Sequence, residues 1–299
     1  MLPVLFFLYA SLVNDVRSLL AHHDFAAADR LVRTYEAEAG GTPEAAAALS
    51  WLARAALDAH EYDRADSYVS ETRRLTDQIL RTSKLDSDPW LPIALGAAIE
   101  VRAQALAARG ARSEAVLYLR QQYKLLGATS IGERIQKNLN LLDLEGKPGP
   151  PIQSPDLIAN TPPTPTPAAL RGHPVLLFFW AHWCPDCKAE VPILADLRRI
   201  YAPKGLVLIG PTRLYGYAAN GDPATPAEEK QYIEKVRREF YAVLSGMPVP
   251  LDAANFRRYG ASTTPTLVLL DGNGIVRYYH PGAVSEAELA AHIQAVLPH

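Results

Sequence analysis

Val175-Leu-Leu-Phe-Phe-Trp180-Ala-His-Trp183-Cys184-Pro185-Asp186-Cys187-Lys-Ala-Glu190 changes period half-way along. Its first six residues are continuously apolar, the pattern of a strand covered on both faces. From Cys184 the pattern is that of a helix reaching Tyr201, with Pro185 at the first helical position, where a missing N–H leaves no bond unmade. A strand that runs straight into a helix opening on two cysteines predicts an α/β unit with its chemistry at the strand's C-terminal end. Residues three apart on a helix are surface neighbours, so Cys184 and Cys187 can close one compact disulfide without rearranging the backbone. They are the only cysteines in 299 residues, too few for a disulfide-stapled fold or a four-thiolate zinc site. Cys184, in the first turn, meets unpaired N–H groups and the positive end of the helix dipole, which favour its thiolate; it is expected to be the nucleophile and to be open to solvent. Asp186 suits the helix terminus but opposes a second negative charge nearby, so Pro185 and Asp186 are read as residues that tune the thiol.

Downstream, Leu206–Ile209 reads as a second buried strand and Pro226–Leu244 as a helix. Leu267–Leu270, the turn Asp271-Gly-Asn-Gly274 and Ile275–Tyr279 form a hairpin pattern. The last helix opens on Ser285-Glu-Ala-Glu288, a capping-box sequence. Together these predict a small α/β sandwich around a mixed sheet. Between Gly210 and Leu251 lies a long Tyr/Gly-rich insertion.

Upstream, the apolar residues recur at three and four, the helix period. Helices are expected over Val13–His22, Phe25–Glu38, Pro43–Ala59, Tyr62–Leu80, Pro89–Ala108, Arg112–Leu126 and Ile131–Leu144. His23-Asp-Phe25-Ala-Ala-Ala28 and His60-Glu-Tyr62-Asp-Arg-Ala65 form a weak repeat, with a third copy at Arg109-Gly-Ala-Arg-Ser-Glu-Ala115. This stretch resembles tetratricopeptide helix pairs, in which a small residue permits close helix approach. Gly146-Lys-Pro-Gly-Pro-Pro151 cannot continue a helix and sets the expected boundary, with an all-α domain over 1–147 and an α/β domain over 148–299. Thr161-Pro-Pro-Thr-Pro-Thr-Pro167 reads as an extended connection. Met1–Ala10 reads as a first buried helix, with a truncated export signal or a mis-set start as alternatives. Thirty basic against thirty-two acidic residues, a formal charge of -2, supply no global field for nucleic acid.

Phe178 to Pro192 resembles the active-site segment of the thioredoxin-like superfamily, in its extracytoplasmic TlpA/ResA-type branch. Thr263-Thr264-Pro265-Thr266 matches that family's cis-proline loop, and the resemblance covers 148–299. It implies that Pro265 is cis and packs on the disulfide, that the Thr264 backbone faces an extended substrate, and that Glu190 handles the proton of Cys187 unless it is an ordinary solvated helix residue. Trp183 is expected beside the substrate groove, Trp180, Phe178 and Phe179 in the core, and His182 on an exposed loop, with tuning of the thiolate as the alternative. The implied activity is thiol-disulfide exchange, in the reducing direction, on protein disulfides. An external dithiol donates the electrons; no cofactor and no metal are expected, since no nicotinamide or flavin fingerprint occurs. The helical domain is expected to recruit a protein partner, and the compartment to be extracytoplasmic, periplasmic or membrane-associated, with the cytoplasm as alternative.

Three other readings compete. A peroxiredoxin-like peroxidase normally has threonine three residues before its cysteine, where this chain has Ala181. A copper or zinc chaperone would add His182 or His280 to the two thiolates. In the third, the helical half is a scaffold and the redox domain its accessory.

Overall fold

The computed structural model describes residues 11–297, so the reading of Met1–Ala10 lies outside the described residues. The chain forms two compact units, divided between Ile135 and Gln136.

The first unit is helical: α1 (Leu12–Ala21), α2 (Phe25–Ala39), α3 (Pro43–Asp58), α4 (Tyr62–Ile79), α5 (Trp90–Ala108), α6 (Arg112–Leu126) and the first turn of α7 (Gly132–Asp143). Its weak sequence repeat has a structural counterpart. His23, His60 and Gly110 all adopt a left-handed backbone just after α1, α3 and α5. At each, the residue's N–H and the next one bond back to carbonyls of the last turn: His23 to Leu20 and Asp24 to Leu19, His60 to Leu57 and Glu61 to Ala56, Gly110 to Ala107 and Ala111 to Leu106. That is the Schellman ending, which satisfies carbonyls a helix end would leave orphaned. The alanine that follows in each copy, Ala28, Ala65 or Ala115, is 0% exposed, the close helix approach that only a small side chain permits. The repeated unit is thus a helical hairpin. α5 is 19 residues long with a mean hydropathy of 1.3, long and apolar enough by composition to cross a membrane, though about half of it is buried inside this unit.

The second unit is built on a four-stranded mixed sheet in the order β2-β1-β3-β4. β1 (Val175–Phe179) runs parallel to β2 (Val207–Ile209) and antiparallel to β3 (Thr266–Leu270), which pairs antiparallel with β4 (Val276–Pro281). The period of two divides the apolar run of β1 between two cores. Leu176, Phe178 and Trp180 join the cluster containing α8 (Pro185–Tyr201), α9 (Pro226–Phe240) and α11 (Glu286–Val296). Val175, Leu177 and Phe179 face the other, with Phe256 and Tyr259 of α10 (Ala253–Tyr259). Phe178, Phe179 and Trp180 are each 0% exposed, as the sequence implied.

Two local expectations are corrected, and one helix, α10, had not been anticipated. The helix from Pro226 stops at Phe240 and a separate single turn, Ala242–Leu244, follows. α10 has only seven residues and no clear periodic signal; its ends are set by Asp252, which accepts the N–H of Ala254, and by Gly260 at φ 58°. At α11 half of the anticipated capping box forms: the Ser285 hydroxyl accepts the Glu288 N–H, but the Glu288 carboxylate accepts the Tyr278 hydroxyl at 2.8 Å. A complete box occurs instead at α9, between Thr225 and Glu228.

Candidate active site

The end of β1 and the start of α8 place the two cysteines. Trp180 anchors this junction. Its N–H bonds to the Pro211 carbonyl at 3.2 Å, its indole N–H to the Gly210 carbonyl at 3.0 Å, and its own carbonyl accepts the Thr212 hydroxyl at 2.9 Å. Cys184 is the N-cap of α8 and Pro185 its first residue. Cys184 and Cys187 form a disulfide, with their Cα atoms 5.3 Å apart. The Cys187 N–H points at Sγ of Cys184 from 3.0 Å, so a helix-start donor addresses the sulfur that would carry charge in the reduced form. Pro185 and Asp186 are exposed.

The Thr263–Thr266 loop closes over the same sulfur. The Thr264–Pro265 bond is cis, as the resemblance implied, and the Thr264 carbonyl oxygen lies 3.4 Å from Sγ of Cys184. Pro265 is buried, and its carbonyl accepts the Gly282 N–H at 2.8 Å. The expectation that Cys184 is open to solvent is not met in this disulfide form: the residue is 1% exposed. The sulfur is bonded to that of Cys187, and the Thr264 carbonyl lies against it. Trp183 is the large side chain left outside, at 45% exposure.

Glu190 lies one helical turn beyond Cys187 and is 2% exposed, which corrects the reading of it as a solvated helix residue. The Val284 N–H bonds to its carboxyl, while Oε1 has no hydrogen-bond partner. Burial pushes its pKa above the ordinary carboxylate value, and the charge of Asp186 adds to the rise.

His182 also departs from expectation. It is 1% exposed, not on an exposed loop. Its partner comes from far along the chain: Nε2 is 3.2 Å from Oε1 of Glu229 on α9. A carboxylate only accepts, so Nε2 carries the proton in this pair. Burial holds the His182 pKa below its ordinary value, against the pull of Glu229. Its ring is caged edge-on by Tyr215, Tyr217 and Tyr232, at centroid distances of 5.7, 5.4 and 5.4 Å. Glu229, 0% exposed, also accepts the N–H groups of Tyr215 at 2.5 Å and Gly216 at 2.8 Å. Tyr215 in turn meets Trp183 edge-on at 5.5 Å. The Tyr/Gly-rich insertion was visible in the sequence; that Glu229 would hold it against the residues preceding Cys184 was not, because the partners are 47 positions apart.

A cysteine pair capping a helix after the central strand, faced by a cis-proline loop on a mixed sheet, defines a dithiol–disulfide protein of thioredoxin-like fold. Comparison with known proteins agrees. A family model for the thioredoxin-like domain matches residues 166–297. The thiol:disulfide interchange protein DsbE of Pseudomonas fluorescens is 32% identical over 164 residues, 51% of this chain and 77% of that protein. DsbE of Xylella fastidiosa is 30% identical over 160 residues, 52% of this chain and 70% of that protein. The thiol-disulfide oxidoreductase ResA of Geobacillus thermodenitrificans is 29% identical over 129 residues, 43% of this chain and 66% of that protein, so the match spans just under two thirds of its length. The chain belongs to the ResA/DsbE-type thiol-disulfide oxidoreductases.

Proposed function

We propose that the protein reduces disulfides in other proteins. The observation that carries the reading is the sulfur of Cys184 set between the Cys187 N–H at 3.0 Å and the Thr264 carbonyl at 3.4 Å, beside a cis proline. In the reduced enzyme the Cys184 thiolate attacks one sulfur of a substrate disulfide. That bond breaks, its electron pair leaves with the second substrate sulfur as a thiolate that takes a proton, and a mixed disulfide forms. Cys187 gives its proton to Glu190 and attacks Sγ of Cys184, releasing the first substrate sulfur as a thiolate, which is protonated in turn. Two electrons have then moved to the substrate, and the enzyme holds the Cys184–Cys187 disulfide, the form described above. An external dithiol restores the thiols.

In this reading Trp183, Thr264 and Pro265 border the substrate, and Pro185 and Asp186 set the thiol's reactivity. Since Cys184 is 1% exposed, an approaching disulfide displaces side chains at its rim, and Trp183 is the outermost. The division of labour follows the expected domains: 1–147, of tetratricopeptide-like hairpins, recruits a protein partner, and 148–299 carries the exchange. Family membership and the chemistry favour a place outside the cytoplasm, periplasmic or membrane-associated, where disulfides persist.

Titration of the cysteine pair against glutathione buffers tests the direction: a reductase has a potential below about −200 mV, and a value near that of the strongest oxidants, about −120 mV, would reverse it. Cys184→Ser is expected to abolish reduction of a peptide disulfide under dithiothreitol, and retention of the wild-type rate would overturn the assignment.

A further inference from the structure

The insertion between β2 and α9 supplies a residue to the site that the cysteine motif does not contain. The two residues before Cys184 are held by one strap. His182 bonds to Glu229 at 3.2 Å, and Trp183 meets the edge of Tyr215 at 5.5 Å. Glu229 closes the circuit by accepting the Tyr215 and Gly216 N–H groups at 2.5 and 2.8 Å. The guanidinium of Arg213 lies over the Tyr215 ring, 5.0 Å from its centroid. A bonded backbone and a ring neighbour therefore fix Tyr215, and Tyr215 limits the rotation of Trp183, the large apolar side chain left 45% exposed next to Cys184.

We infer that Tyr215, seated by Glu229, forms with Trp183 an aromatic subsite beside Cys184 that selects protein disulfides flanked by an aromatic residue. The inference rests on the redox reading and names its substrate class. A sulfur delivered to Cys184 brings its flanking side chain to the exposed indole, where a ring gains edge or offset contacts that a glycine cannot make. Because Tyr215 already holds Trp183, less side-chain freedom is lost on binding, and the gain appears as affinity. Tyr215 is the specificity residue and Glu229 its positioning residue.

The test uses the full chain and two synthetic peptides, each closed by one disulfide and differing only in whether phenylalanine or glycine precedes the first cysteine. Rates under dithiothreitol are taken above those of the Cys184→Ser protein. For the wild type, kcat/KM for the phenylalanine peptide should exceed that for the glycine peptide by about threefold to tenfold, the range of an aromatic pair, with the difference in KM. Tyr215→Ala and Glu229→Gln should bring the ratio to about one, and Tyr215→Phe should preserve it. If Tyr215→Ala fails to fold, Tyr215→Leu, which keeps bulk without a ring, reads the same ratio. A wild-type ratio of one, or a ratio that survives loss of the ring, overturns the subsite and leaves the redox reading standing. If the wild type reduces neither peptide, the redox reading falls and takes the subsite with it.

Discussion

Three carboxyls are buried among the described residues of the redox unit, Glu190, Glu229 and Glu234, and the first two differ in how many donors meet them. Glu229 is 0% exposed and accepts two backbone N–H groups and the His182 ring. Glu190 is 2% exposed, receives the Val284 N–H, and has an oxygen with no partner. Burial alone therefore does not tell a structural acid from a reactive one. A carboxylate whose lone pairs are occupied has its charge accounted for and holds the chain in place. One that is buried and under-bonded has a raised proton affinity, so its ionised form is a stronger base, as the proposed acceptor of the Cys187 proton must be.

That contrast can be broken by substitution, with the largest effect at Glu229. Glu229→Ala takes the acceptor from two backbone N–H groups and from a buried imidazole, and should cost about 3–5 kcal/mol in urea unfolding. A loss below about 1 kcal/mol would show that the strap does not depend on this carboxylate.

The effect at Glu190 should be smaller and should depend on pH. Its folded pKa lies above the ordinary value, so between the two the folded chain keeps a proton that the unfolded chain has released. Wild-type stability contributed by this group is therefore full at low pH and falls as pH rises through the folded pKa, with a slope no steeper than about 1.4 kcal/mol per pH unit. Glu190→Gln removes that fall, so the variant should gain on the wild type as pH rises across the window. It should also slow the resolving step in stopped-flow mixing with a mixed disulfide. A stability difference that is flat with pH would show that burial does not raise the Glu190 pKa.

The smallest expected effect is at the surface. Asp186→Asn removes a negative charge from the first turn of α8 and should lower the Cys184 thiol pKa by less than about one unit in a thiolate-absorbance titration. An unchanged or higher value would show that Asp186 does not oppose the thiolate.

The helical unit and the redox unit were legible in the sequence for different reasons. α2, α4 and α6 begin at Phe25, Tyr62 and Arg112, the residues at which sequence periodicity starts them, because helix period and helix end are local properties. Two of the three Schellman endings use histidine where glycine would be the signal, at His23 and His60, so the repeat was readable from the aromatic and alanine positions more than from the breaks. In the redox unit the strand, the cysteine pair and the proline loop were readable because each is a short motif with its chemistry built in. α10 was not, since its seven residues are set by a cap at Asp252 and by packing of Phe256 and Tyr259 under the sheet. His182 and Cys184 were read as exposed because nothing beside them in the chain says otherwise; their cover comes from Glu229, the tyrosines and the Pro265 loop.

The sequence alone determined that two sulfurs three apart sit where a buried strand meets a helix, because spacing, hydrophobic period and helix-start chemistry are carried by neighbours in the chain. Only the tertiary structure decided which carboxyls are buried, how many donors each receives, and that a tyrosine from a distant insertion stands against Trp183. Those depend on contacts between residues tens of positions apart, and side-chain type along one chain does not specify which of them meet until the two faces of the sheet are packed.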